Sequence, residues 1–65
     1  MQIRKDISKD EIIVFYAESS IQIQEKKLIK LIKKKFHVRD ANYTEFVTWF
    51  DEISKTHFAE IKVAY

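Results

Sequence analysis

From Met1 to Ile7 apolar and polar side chains alternate, Met1, Ile3 and Ile7 against Gln2, Arg4 and Asp6. That period of two is the pattern of a half-buried strand. Ser8 then reads as a helix start. Glu11 follows three residues on to complete a capping box, Asp10 falls in the positive first turn, and Ile7 and Ile12 sit where a hydrophobic staple puts them. A short helix from Lys9 to about Glu18 is the expectation. The run IIVFY inside it is rich in β-branched and aromatic residues and suits a buried strand, but a strand pair here needs a hairpin with no Gly or Asn to turn it.

Ser19 and Gln22 form a second candidate capping box. At 100° per residue, Ile21, Glu25, Leu28, Ile29, Leu31, Ile32 and Phe36 fall on one side of a second helix. Lys26, Lys27, Lys30, Lys33, Lys34 and His37 fall on the other. Ile23 points to the wrong side, so the regular helix is expected to begin near Gln24, and Lys35 lies at the edge of the apolar stripe. After the connection HVRDAN, Asn42 with Glu45, or Thr44 alone, can cap a third helix. On it Tyr43, Phe46, Trp49, Phe50, Ile53 and His57 share a face, opposite Glu45, Thr48, Asp51, Glu52 and Lys55. The final residues return to alternation, Ala59, Ile61, Val63 and Tyr65 against Glu60 and Lys62, and read as a strand.

The pattern therefore predicts one small domain over residues 1–65, mainly α within a small α+β class. It has three helices, with short N- and C-terminal strands that pair as a two-stranded ribbon. The alternative is a three-stranded α+β arrangement with two helices, in which residues Glu11 to Ala17 form a strand. Composition favours helices, because the chain has no Gly and no Pro, the residues that most readily make tight turns and left-handed caps.

Sixty-five residues bury only about 60% of the surface they expose when unfolded, so stability is marginal. There is no Cys to cross-link the fold, which leaves good packing or a homodimer as reinforcement. With 46% apolar and 14% aromatic residues the chain is too hydrophobic for the disordered class. The charged alternation of MQIRKDISKDE is unlike a signal peptide, and no run approaches the roughly 20 apolar residues of a membrane span. A soluble, cytoplasmic protein is expected.

Net charge is only +2, but it is unevenly distributed: Lys26 to Arg39 holds seven of the twelve Lys and Arg and no acid, leaving five bases and ten acids elsewhere. Catalytic groups are scarce. There is no Cys nucleophile, no Gly for a nucleophile elbow or phosphate loop, and the acidic neighbours Asp10-Glu11 and Asp51-Glu52 diverge on a helix. His37 and His57 lack ligand-spaced companions, so neither a metal nor a cofactor is expected. The reading is a non-enzymatic regulatory protein that acts by binding. Its first candidate site is the lysine helix, with Lys26, Lys27, Lys30, Lys33, Lys34 and Arg39 contacting the phosphates of DNA or RNA. The shortage of Arg and Asn argues against base reading. The alternative is a modulator or inhibitor that docks on an acidic protein through the basic helix, or on another partner or a second copy through Tyr43, Phe46, Trp49 and Phe50. The plainer accounts are a solvated helix face and an aromatic core.

Overall fold

The computed structural model describes residues 1–7, 12–38 and 41–64. Among them run four strands and one helix, β1 (Gln2–Ile7), β2 (Ile13–Ser19), α1 (Glu25–Phe36), β3 (Asn42–Asp51) and β4 (Thr56–Ala64). The strands form a single antiparallel sheet in the order β1-β2-β4-β3. The helix lies on one face. Because β4 inserts between β2 and β3, the connection through α1 crosses over it, and the middle of the fold is a split βαβ unit.

This overturns the mainly helical expectation. Strands do occupy both ends, but β2 lies between β1 and β4, so the ends do not form a ribbon with each other. The first expected helix is replaced by β2 over Ile13–Ser19, where the β-branched and aromatic run outweighed the capping signals; Ser8, Glu11 and their proposed box lie outside the described residues. The third expected helix is β3. Its helical spacing has a local cause: the β3 register shifts between Thr44 and Val47, so Glu45 and Phe46 together oppose Ile61. The extra residue puts Tyr43 and Phe46 on the same side of the strand three positions apart, which imitates a helical period. The three-stranded alternative with two helices is likewise replaced by four strands and one helix.

The missing glycines do not prevent turns, because other residues take up left-handed backbone conformations. Lys55 has φ of 55° in the β3–β4 turn, Glu45 has φ of 52° at the bulge, and His37 has φ of 55° where α1 ends. The β3–β4 turn is tied by Asp51, whose Oδ2 accepts from the Ser54 hydroxyl at 2.6 Å and from the Ser54 N–H at 3.3 Å.

Residues of β2 and β4 alternate sides. Phe15 and Ala17 on β2, and Ala59, Ile61 and Val63 on β4, face α1, which returns Leu28 and Ile32. Phe15, Leu28, Ile32, Ile61 and Val63 are fully buried. Phe36 closes one side with its ring 4.9 Å from that of Phe15. Ile23 is buried just before the helix. Its mismatch with the helical stripe thus marks the true start, with Gln24 as N-cap and no side-chain cap from Ser19 or Gln22.

Candidate nucleic-acid interface

The twelve residues of α1 make a rod about 18 Å long at 1.5 Å rise per residue. Seating Leu28 and Ile32 on the sheet fixes its rotation. Lys26, Lys27, Lys30, Lys33, Lys34 and Lys35 are all exposed along it. Lys33 Nζ lies 5.8 Å from the centre of the Tyr43 ring, and Lys35 Nζ lies 5.7 Å from that of Phe36. The described residues contain one salt bridge, and it is elsewhere, between Lys62 and Glu45 at 2.6 Å. Among the described residues the helix lysines therefore form a band of like charge, relieved by Glu25 in the first turn and by the negative helix terminus beside Lys33, Lys34 and Lys35. Arg39 lies outside the described residues. Lys35, assigned from sequence to the edge of the stripe, joins the band. Between the helix and β1 is a groove of about 380 Å³ lined by Met1, Ile3, Leu31, Lys34 and Lys35.

The aromatic candidates of β3 are not one cluster. Tyr43 and Phe46 pack against the core on the helix side, Phe50 is exposed on that side with its ring 4.6 Å from His57, and Trp49 turns to the opposite side. There Trp49 stacks on Phe58 at 5.6 Å with an interplanar angle of 14°. The strand period of two divides what a helix would have gathered.

Among the described residues no helix lies over that opposite side of the sheet. Beside Trp49 and Phe58 it carries Val47, Arg4 and Tyr16, with the Arg4 guanidinium 5.8 Å from the centre of the Tyr16 ring. A groove of about 440 Å³ is lined by Gln2, Arg4, Tyr16, Ala17, Glu18 and Phe58. Tyr16, Glu18 and Phe58 were not singled out from sequence. The alternation that put Glu60 and Lys62 opposite the buried Ile61 was the signal for Phe58, and the helix expected from Lys9 to about Glu18, with a strand over Glu11 to Ala17 only as the alternative, concealed the other two.

Among the described residues no group of three His, Asp or Glu side chains is placed to hold a metal ion, and no helix is long and apolar enough to cross a membrane. No protein-family model, curated protein or solved structure significantly matches this chain.

Proposed function

We propose that the protein is a non-enzymatic cytoplasmic regulator that binds DNA or RNA through the phosphates, using Lys26, Lys27, Lys30, Lys33 and Lys34 of α1, with Lys35 beside them and Arg39 following. The supporting observation is the lysine band, none of whose members forms a salt bridge among the described residues. A face that served only for solubility gains from mixing Glu with Lys at i,i+4, whereas Lys26, Lys30 and Lys34 stack like charges at that spacing, which destabilises a helix by roughly 0.2–0.5 kcal/mol per pair. Phosphate is a ligand that makes such an arrangement favourable. With Lys rather than Arg supplying the contacts, affinity depends strongly on salt and weakly on sequence.

The test is mobility shift of random duplex DNA and RNA across a salt series starting at about 50 mM, where phosphate contacts are strongest. Changing Lys30, Lys33 and Lys34 to Gln is expected to weaken binding to every sequence alike and to reduce the log–log salt slope by roughly 1 per lysine, with the fold intact. No shift at the lowest salt rejects the reading.

A second reading, a modulator docking on an acidic protein, draws on the groove of Met1, Ile3 and Leu31 beside Lys34 and Lys35. In that case Leu31→Gln abolishes partner binding and leaves nucleic-acid binding unchanged. A homodimer is supported by the free edge of β3, where Val47, Trp49 and Phe50 are exposed. Sedimentation that gives only monomer mass at every concentration rejects it.

A further inference from the structure

We infer that the face of the sheet opposite α1 is a docking surface for a basic polypeptide segment, one that alternates Lys or Arg with bulky apolar side chains. An antiparallel sheet packed on one side is ordinarily polar on the other. Here the free side presents Tyr16, Val47, Trp49 and Phe58, with Trp49 and Val47 each about half exposed, at 46% and 53%. The groove along Gln2, Arg4, Tyr16, Glu18 and Phe58 falls within the roughly 300–1,000 Å³ of ligand clefts.

Charge selects the occupant. Asp6, Glu18, Glu60 and Asp51 belong to this side by strand alternation, and the Glu45 carboxylate reaches it to meet Lys62. Among the described strand residues only Arg4 and Lys62 oppose them on this side. Lys62 is held by Glu45, and Arg4 lies over Tyr16. Glu18 has no ion-pair partner among the described residues. This side is therefore acidic where α1 is basic. Nucleic acid is disfavoured, because the carboxylates repel phosphate and Trp49 and Phe58 already stack on each other. A basic segment lying along the strands meets Glu18 and Glu60 with its cations and the groove and Trp49 with its apolar side chains.

The experiment titrates the isotope-labelled full chain, at a concentration where sedimentation shows a single species, with three probes. These are a peptide of about ten residues alternating lysine with leucine and tryptophan, its glutamate counterpart, and a single-stranded oligothymidylate. The lysine peptide is expected to move the amide signals of Tyr16, Glu18, Phe58 and Glu60 and the Trp49 indole signal, and the glutamate peptide to leave them in place. Converting Glu18 and Glu60 to Lys, a change on the solvent side of the sheet, is expected to weaken the lysine peptide about fivefold to tenfold. Duplex binding through α1 should persist. The inference is overturned if the peptide moves no signal, moves α1 instead, or binds the Glu18→Lys, Glu60→Lys variant equally well. It is overturned too if the oligothymidylate moves these signals and the peptide does not.

Discussion

Phe15, Leu28 and Ile61 have no exposed surface, and in a domain this small each is a large share of the core. Leu28→Ala is expected to cost about 2–5 kcal/mol and Phe15→Ala about 3–5 kcal/mol in urea unfolding, enough to leave little folded protein in either variant. Other residues act through the backbone. His37 and Lys55 hold left-handed conformations that glycine adopts without steric penalty. His37→Gly and Lys55→Gly are each expected to raise stability by about 0.5–1 kcal/mol, the relief of strain exceeding the added freedom of the unfolded chain. A fall in melting temperature for both variants contradicts this. Asp51 has a titration signature. Hydrogen bonds from the Ser54 side chain and backbone hold its carboxyl below the ordinary value of 3.8. A carboxyl that is more acidic when folded contributes stability above its unfolded value and loses it as pH falls through the folded one. Acid unfolding followed from pH 7 downward should therefore show a shallower loss of stability below the ordinary carboxylate range in Asp51→Asn than in the parent chain.

At the scale of the element, α1 is the part most readily read in advance. Leu28, Ile32 and Phe36 recur at four-residue intervals, lysines fill the remaining surface, and only a helix separates the two sets. The like-charge band has a testable consequence: Lys30→Glu creates opposite-charge pairs with Lys26 and Lys34 and is expected to stabilise the protein by about 0.5–1 kcal/mol. The same variant should bind duplex nucleic acid more weakly, so stability and binding move in opposite directions. A variant that is more stable and binds unchanged shows that the lysines only solvate the helix. The third expected helix is the strand β3 for a reason that its neighbours explain. Its aromatics at positions 43, 46, 49 and 50, with Ile53 beyond them, satisfy a helical period as well as a bulged strand, and the bulge exists only through pairing with β4.

Across the whole molecule, charge is divided between two surfaces, lysines over α1 and mostly carboxylates on the free face of the sheet. The segregation was visible as seven bases between Lys26 and Arg39, but its opposite pole was not, because Asp6, Glu18 and Glu60 come from three different strands. The Glu45–Lys62 pair joins β3 to β4. Its hydrogen bond and charge raise the Lys62 pKa above the ordinary 10.5. A lysine raised on folding contributes stability below its unfolded value and loses it as pH climbs through the folded one. Glu45→Gln should therefore flatten the alkaline side of the stability profile and leave the contribution of Asp51 on the acid side in place.

By itself the amino-acid sequence determined the features that neighbours a few positions apart can set. The helix, its core positions Leu28, Ile32 and Phe36, its cationic side and the alternating strands at both ends all rest on local spacing, although Ile21 and Leu31, expected on the same apolar side, are exposed. Which strands lie beside one another, the β3 bulge, and the aromatic and acidic face opposite the helix were decided only by the tertiary structure. The physical reason is the range of the interactions. Helix hydrogen bonds close within four residues and leave their period in the sequence, whereas β2 finds its second partner in β4, across α1 and β3, with Ile13 opposite Val63 and Ser19 opposite His57.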